Sequence, residues 1–312
     1  MKRLFTILLL ATLSSIYVVS DAQFINLQSK VTPSRKLWDD GTAKACTPHP
    51  LHGDIEEIEI TTTRKLPDWT ERQVHTSYFK FNEHGDVTSW IDHNKNGVED
   101  FRLEAIYDAQ GRLLSEKMFD YGKLRKSYTY TYDGNTVTER TMDEQVNVYT
   151  IESFIDPEDG SNNIIYYCNG NEEQHYRCVT RYDGKTKYVY EIIVSDLNEF
   201  VRCFEFDKHN NITLYADIYP GGHYYGFAKE YDRKGRVTIC RDYRQETLKY
   251  TTKYSYKGNC VVQKTYDADN ELIYHAISKY DKHGNVIEFK EVVDKSPQAQ
   301  MEHSIYIIKY RE

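Results

Sequence analysis

The sequence predicts an all-β fold, a repetitive antiparallel β-hairpin meander of roughly 18–20 strands that forms one long, twisted or curled sheet. Three observations support this prediction. An aromatic-Asp-x-x-Gly motif recurs every 23 to 27 residues, segments of alternating side chains separate its copies, and 28 of the 312 residues are tyrosine. Alternation of aromatic or β-branched residues with polar ones is typical of strands, and a fixed period is typical of repeat architectures.

The repeat begins near residue 52 and accounts for most of the chain that follows. Its turns start at Tyr107, Tyr132, Ile155, Tyr182, Phe206, Tyr231, Tyr256 and Tyr280, and related turns at His52 and Phe81 extend the series upstream. About ten units of ~25 residues fit this spacing. We therefore predict one YD-like β-repeat domain over residues 52–312, although length alone would suggest ~2 domains.

Each unit has the pattern of two strands and two turns. Tyr128, Tyr130 and Tyr132 alternate with polar residues, which places them on one face of a strand. In turns such as 232–235 the Asp side chain can accept a hydrogen bond from the backbone two residues on, and Gly tolerates positive φ. Because open sheets rarely exceed ~10 strands, we expect this sheet to coil into a superhelical or shell-like form or to fold on itself as two layers.

The first 22 residues have the pattern of a secretory signal peptide. Lys2 and Arg3 precede an apolar run over residues 4–19, and small residues follow at Ser20 and Ala22. We expect residues 23–51 to be an irregular segment and the mature protein to be exported to the periplasm or the cell exterior. No later apolar run approaches the ~20 residues of a membrane helix, so we expect no stable membrane span after signal cleavage.

The net charge of the chain indicates which kinds of partner it can bind. The formal net charge is −8, and proteins that bind nucleic acid need basic surfaces against phosphate. We therefore expect no nucleic-acid partner.

Two copies of the repeat, residues 107–113 (YDAQGRL) and 231–237 (YDRKGRV), resemble the YD, or RHS-like, repeat of bacterial exported proteins. The resemblance covers most of residues 52–290, with degenerate copies at Ile155 and Tyr256. It implies a bacterial origin, export and a β-sheet scaffold, and it brings no catalytic residues. Long members of that family build large β-shells that can enclose a toxin segment, and this chain would be a short exported member.

Residues 92–100 (DHNKNGVED) have the spacing of a calcium loop. Side-chain oxygens stand at Asp92, Asn94, Asn96 and Asp100, and Val98 offers its backbone carbonyl. The twelfth position of such a loop is a leucine here and lacks the bidentate glutamate. The alternative is a half-period turn closed by the Asn-Gly pair.

The six cysteines allow at most one disulfide in a regular sheet. Cys168 and Cys178 flank a short loop and would face each other across one hairpin, whereas pairs one repeat apart are separated by ~9.6 Å, beyond disulfide reach. Cys46, His49 and His52 have metal-like spacing. However, His52 occupies the same turn position as other histidines of the repeat, which favours a turn role.

The sequence favours a non-enzymatic, exported scaffold or binding protein of the bacterial cell envelope, with a protein or an envelope glycan as partner. One alternative is a carbohydrate-active or other hydrolytic enzyme, which would need two inward carboxylates ~5–9.5 Å apart. A second alternative is a calcium-stabilised surface module. Exposed aromatic residues would form a stacking surface for glycans or peptides, or else cross-strand ladders within the sheet. The candidates for such a surface are Tyr224, Tyr225, Trp38, Trp69 and Trp90.

Overall fold

A computed structural model describes residues 51–65, 73–134, 136–158, 160–184, 186–195, 199–220, 223–294 and 301–311. The predicted signal peptide, Trp38, Cys46, His49 and Trp69 lie outside these residues. In the part of the chain that is described, no helix has the length and apolar character needed to cross a membrane.

The structure is all-β, with two strands for each period of the repeat. The strands are β1 (Ile55–Lys65), β2 (Gln73–Phe81), β3 (Val87–His93), β4 (Glu99–Tyr107), β5 (Leu113–Asp120), β6 (Lys123–Asp133), β7 (Thr136–Thr141), β8 (Val146–Ile155), β9 (Asn162–Cys168), β10 (Asn171–Asp183), β11 (Thr186–Ser195), β12 (Glu199–Phe206), β13 (Ile212–Ile218), β14 (Tyr224–Tyr231), β15 (Val237–Arg244), β16 (Thr247–Lys257), β17 (Cys260–Tyr266), β18 (Leu272–Tyr280), β19 (Val286–Asp294) and β20 (Met301–Tyr310).

The repeat turns use the chemistry that their sequence predicts. In the turn after β4, the Asp108 carboxylate accepts hydrogen bonds from the backbone N–H groups of Gln110 and Arg112, each at 2.9 Å. Gly111 closes the turn at a φ of 75° and donates its N–H to the Asp108 carbonyl. The same pattern of Asp-to-backbone bonds recurs at Asp232 and Asp281. Each copy of this turn joins two neighbouring antiparallel strands through a short hairpin loop.

The prediction of an open, twisted or curled sheet is wrong. All 20 strands belong to one sheet, and the first strand pairs with the last: β1 and β20 run antiparallel from Ile55 opposite Tyr310 to Lys65 opposite Met301. The strands therefore close into an antiparallel β-barrel. Closure satisfies the backbone N–H and C=O groups that free edge strands would leave without partners. The sequence pattern predicts only hairpins between neighbouring strands, and it does not indicate that the first strand pairs with the last.

The closed sheet also overturns the prediction that the mature chain lacks a stable membrane span. That prediction counted apolar helices alone. A closed antiparallel sheet satisfies its backbone hydrogen bonds between strands, and it is the second architecture that can span a bilayer. The absence of a long apolar run was therefore the wrong criterion for this chain.

The described residues form two compact units. One comprises residues 148–252 with 134–136, and the other comprises residues up to 133, 137–147 and those from 253 on. In the second unit, Ile58, Phe79 and Val87 belong to a buried apolar cluster. We call the sheet face that carries Ile58 and Phe79 the core face of that unit. In the first unit, Tyr190, Cys203 and Ala216 are packed together as cross-strand neighbours on β11, β12 and β13.

Candidate functional site

The core face of the second unit begins with an apolar row that crosses six strands. The residues in this row are direct cross-strand neighbours and belong to β20, β1, β2, β3, β4 and β5. They are Ile308, Ile58, Phe79, Trp90, Leu103 and Met118. An unbroken row of large apolar side chains excludes water from this height of the sheet.

Further along the same strands, the core face becomes polar. On β1, Ile58 and Ile60 are followed on the same face by Thr62 and Arg64, and on β2 the apolar Phe79 gives way to Ser77 and His75. The change falls within one same-face step on the paired strands: the polar Ser77 lies opposite the apolar Ile60, and Thr62 lies opposite His75. Polar side chains on a buried face are costly unless they are hydrogen-bonded, so their partners identify what the arrangement is built to do.

A hydrogen-bonded chain of side chains links β1 to β20. The Thr62 and Ser304 hydroxyl oxygens are 2.9 Å apart, and both residues are buried. The Ser304 hydroxyl donates to Glu302 Oε1 at 2.9 Å, and Arg64 Nε donates to Glu302 Oε2 at 3.3 Å. Both oxygens of the Glu302 carboxylate are therefore held in place, and only 16% of its side chain is exposed.

The network continues onto β19 and β18. Glu291 Oε2 accepts the backbone N–H of Glu302 at 2.9 Å, and Glu291 Oε1 accepts the Tyr274 hydroxyl at 3.2 Å. This second carboxylate is thus also oriented through both of its oxygens. Carboxylates held by fixed donors keep one orientation and can accept further hydrogen bonds.

On the other side of β1, a histidine and an aspartate extend the polar surface. His75 Nε2 lies 3.7 Å from Asp92 Oδ1, and the indole N–H of Trp90 donates to the same oxygen at 2.7 Å. The His75 side chain is 34% exposed and that of Asp92 is 15% exposed. The indole therefore links the apolar row to the polar groups.

We name this surface the Glu302 patch and define it by Thr62, His75, Asp92, Glu302 and Ser304. It presents two carboxylates and an imidazole at the polar end of a buried face, and the buried hydroxyls of Thr62 and Ser304 support them from below. Because its hydrogen-bonding groups are oriented before any ligand arrives, little ordering would remain to oppose the binding of a hydroxyl-rich molecule.

The separation of its carboxylates disfavours glycoside hydrolysis between Asp92 and Glu302. These residues lie on β3 and β20, with β2 and β1 between them. Three strand spacings amount to ~14 Å, whereas paired catalytic carboxylates are ~5–9.5 Å apart. This pair therefore does not support the hydrolase alternative.

The first unit carries a different charged row, on the face opposite Cys203 and Ala216. Glu191, Arg202 and Asp217 are cross-strand neighbours on β11, β12 and β13. Arg202 Nε donates to Asp217 Oδ1 at 2.9 Å, the Tyr215 hydroxyl donates to Asp217 Oδ2 at 2.6 Å, and Arg202 Nη1 lies 3.7 Å from Glu191. Burial raises the pKa of Glu191 above its ordinary value, and the Arg202 charge opposes that rise.

The predicted calcium loop forms a tight hairpin turn between β3 and β4. The Asn94 side-chain oxygen accepts the backbone N–H groups of Asn96 and Val98, and the Asp92 carboxylate faces Trp90. Among the described residues, no three His, Cys, Asp or Glu side chains are grouped as a metal site. Calcium binding by this loop, through Asp92, Asn94, Asn96, Val98 and Asp100, stays a prediction, to be tested by a calcium-dependent melting temperature.

The structure does not bring Cys168 and Cys178 together. Both are free thiols. Cys168 lies opposite Asn171 beside the β9–β10 turn, whereas Cys178 lies opposite Asn162 at the other end of the hairpin. Most of the predicted loop belongs to β10, and the pairing of β9 with β10 places the two thiols at opposite ends of the hairpin.

The proposed stacking residues have different environments. Tyr225 is exposed, lying opposite Asp217 and Arg244 on the charged face of the first unit, and Tyr224 is half-buried. Trp90 stacks on Phe79, with ring centroids 5.3 Å apart, and meets Phe101 edge to face at 5.0 Å, so it is part of a cross-strand ladder.

The backbone of His52 is hydrogen-bonded to the side chain of Asn285, which belongs to the turn before β19. Its N–H donates to the Asn285 side-chain oxygen and its carbonyl accepts the Asn285 amide, both at 2.7 Å. This arrangement agrees with a turn role for the His-Gly positions of the repeat.

The Glu302 patch was not predicted from the sequence. The signal was present in β1 and β20, where alternating apolar residues are replaced at the same face by Thr62 and Arg64, and by Ser304 and Glu302. Only the pairing of the first strand with the last brings these residues together, and residues 242 apart in the chain give no local indication of it.

No protein-family model matches this sequence, and no curated protein matches it. Solved structures with some similarity include a porin-like protein from Bacteroides uniformis, at 12% identity and a TM-score of 0.34, covering 82% of this chain and 96% of that chain. A porin-like protein from Bacteroides vulgatus has 11% identity and a TM-score of 0.23, covering 80% and 97%. TcdB2-TccC3 without its hypervariable C-terminal region has 12% identity and a TM-score of 0.29; the match covers 75% of this chain and 15% of that one. Similarity at this level carries no argument about function.

Proposed function

We propose that this protein is an exported, non-enzymatic binding protein of the bacterial cell envelope, built from YD-type repeats, that holds an envelope glycan on the Glu302 patch. The observation that carries the proposal is the change of the core face from apolar to polar on four neighbouring strands, within one same-face step of one another. A sheet needs only apolar residues to pack its buried face. Polar residues arranged there in register are better explained by a ligand than by stability.

The chemistry of the patch favours a carbohydrate. Sugar hydroxyls donate to carboxylates and accept from imidazole groups, and Asp92, Glu302 and His75 supply both kinds of group. The buried hydroxyls of Thr62 and Ser304 hold Glu302 in position. The carboxylates of Glu302 and Glu291 each engage both oxygens with fixed donors. This satisfaction suits hydrogen-bond acceptance better than the proton exchange that a general acid must perform.

Export and the repeat are part of the same proposal. The N-terminal 22 residues have the pattern of a signal peptide, and the Asp-x-x-Gly turns follow the YD spacing. Envelope glycans are the hydroxyl-rich polymers that an exported bacterial protein meets at high concentration. A closed sheet would give a rigid support for such a site.

The proposal can be tested by calorimetric titration of the mature chain with oligosaccharides prepared from peptidoglycan and from lipopolysaccharide. We expect saturable binding of one glycan class. Glu302→Gln and Thr62→Val should each weaken it by about tenfold, because each removes an oriented hydrogen-bonding group. Glu57→Gln is the matched control, since Glu57 lies on the opposite face of β1 and pairs with Lys80.

Three outcomes would contradict the proposal. The first is the absence of binding to any glycan, and the second is an equal loss in Glu57→Gln and Glu302→Gln. The third is the appearance of new reducing ends during incubation, which would favour the hydrolase alternative. Circular dichroism melts of each variant would show that a loss of binding is not a loss of folding.

A further inference from the structure

Two neighbouring repeat turns of the first unit carry exposed cations. The turns are residues 207–211 (DKHNN), between β12 and β13, and residues 232–236 (DRKGR), between β14 and β15. The residues that flank the two turns are joined directly, since the Tyr231 hydroxyl donates to the Ile212 carbonyl at 2.6 Å. We call these two turns the paired turns.

The carboxylate of each paired turn is engaged within its own turn. Asp207 accepts the backbone N–H groups of His209 at 2.8 Å and Asn211 at 2.9 Å. Asp232 accepts Nε and Nη2 of Arg236 at 2.8 and 2.7 Å, and these bonds hold the pKa of Asp232 below its ordinary value. Both carboxylates therefore stabilise the turns that contain them.

Three cations of the paired turns have no such partner. Lys208, Arg233 and Lys234 are exposed, and none of them forms an ion pair with the residues that the structure describes. Glu230, two residues before the second turn, already pairs with Arg241 at 2.6 Å. The chain has 48 acidic and 40 basic residues, so three unpaired cations on adjoining turns oppose its overall charge. Such a local positive field attracts anions from solution.

We propose that Lys208, Arg233 and Lys234 bind a soluble phosphorylated ligand of the sugar-phosphate or diphosphate class. The paired turns are two strand spacings apart, ~9.6 Å, so their long side chains can converge on one phosphate or contact two phosphates of one small molecule. A guanidinium can bind two phosphate oxygens at once, and an ammonium adds a mobile point charge. The site uses no residue of the Glu302 patch and does not depend on glycan binding there.

A small ligand fits the paired turns better than an anionic membrane surface does. Because β8 to β15 pair consecutively and antiparallel, the repeat turns of the first unit lie at one end of its sheet. The turns after β8 and β10 place the exposed carboxylates of Glu158 and Asp183 at this same end. An extended anionic surface would be repelled by these carboxylates, whereas a small molecule contacts the paired turns alone.

The test is a calorimetric titration of the mature chain with pyrophosphate and with glucose 1,6-bisphosphate at low ionic strength. We expect saturable binding that weakens as salt is added, because the cations are exposed. The double variant Arg233→Ala with Lys234→Gln should weaken binding by at least about tenfold, since it removes two of the three cations. These replacements reproduce the Ala109-Gln110 pair of the 108–112 turn, which makes the same Asp-to-backbone bonds, so the turn should still form.

The matched comparison is between Lys234→Gln and Lys249→Gln. Lys249 is also an exposed lysine of the first unit, but it lies on β16 close to the β15–β16 turn, at the other end of the sheet. The two variants change the net charge equally, so only Lys234→Gln should weaken binding. Equal melting temperatures in circular dichroism would show that each variant is folded.

The absence of saturable binding to both phosphate compounds would overturn the proposal. Equal weakening in Lys234→Gln and Lys249→Gln would also overturn it, because net charge alone would then account for the binding. Vesicles of phosphatidylglycerol and phosphatidylcholine in equal parts provide a further comparison. If the wild type sedimented with these vesicles and did not bind pyrophosphate or glucose 1,6-bisphosphate, the cations would serve a membrane surface and the proposal would be wrong.

Discussion

The hydroxyl of Tyr107 donates a hydrogen bond to the backbone carbonyl of Val87, 3.1 Å away and one repeat earlier in the chain. The same tie joins Tyr132 to Leu113 at 2.7 Å and Tyr231 to Ile212 at 2.6 Å. In each case the tyrosine stands at the start of one repeat turn. Its hydroxyl binds the carbonyl of the first strand residue that follows the repeat turn before it. The motif tyrosine therefore links successive hairpins through the backbone, in addition to covering the sheet with its ring.

The first prediction concerns this tie. Tyr107→Phe should keep the ring packing and lose the bond to the Val87 carbonyl, lowering the free energy of unfolding by about 1 kcal/mol. Tyr121→Phe is the control, because Tyr121 is 67% exposed in a turn and should change stability little. Chemical denaturation of the two variants compares them directly. Equal stabilities would show that the hydroxyl tie contributes nothing beyond the ring.

Local features of this fold were predictable and long-range ones were not. The Asp108 turn, the alternating tyrosines and the antiparallel hairpins depend on residues a few positions apart, and the sequence predicts them. The pairing of β1 with β20 depends on groups at opposite ends of the domain, and no local pattern encodes it. The Glu302 patch depends on that pairing. The disulfide prediction failed for a related reason, since the register of β9 and β10 sets which residues face each other.

The second prediction concerns a close approach between β13 and β14. Gly226 lies opposite Ala216, and a Cβ there would overlap the Tyr215 carbonyl oxygen and lie 3.2 Å from the Ala216 Cα. Gly226→Ala should therefore force the strands apart and cost about 2 kcal/mol in the first unit. Gly122→Ala is the comparison. No atom lies within 4 Å of a Cβ added at Gly122, so only the positive φ of 74° should lower the stability of this variant, by about 1 kcal/mol.

Thermal unfolding of both glycine variants would measure the difference. A Gly226→Ala variant as stable as the wild type would mean that β13 and β14 can separate without loss. It would contradict the close packing of these two strands.

The third prediction concerns the charged row of the first unit. Arg202→Met should destabilise the protein by about 2 kcal/mol, because it removes the cation that lies between the Asp217 and Glu191 carboxylates. The figure is below that for a fully buried pair because the Arg202 side chain is 30% exposed. The double variant Arg202→Met with Asp217→Asn should recover part of the loss, since one carboxylate is then gone. A double variant less stable than the single one would refute a charge-pairing role.

The fourth prediction concerns the pH dependence of stability and follows from Glu116, a buried residue of β5. Burial and the charge of Glu139 raise its pKa from 4.5 to about 7 in the folded protein, so between these pH values the folded state binds more protons than the unfolded chain. The contribution of Glu116 should therefore fall as pH rises from about 4.5 to about 7 and stay low above that, a loss on the order of 3 kcal/mol. Glu116→Gln should remove this fall, so that the variant exceeds the wild type most at pH 8. Glu104→Gln should follow the wild-type curve, because Glu104 lies on the opposite face of neighbouring β4 and pairs with Arg102. Denaturant midpoints across this pH range measure the effect. Parallel curves for the wild type and Glu116→Gln would mean that Glu116 ionises in the folded state as it does in the unfolded chain.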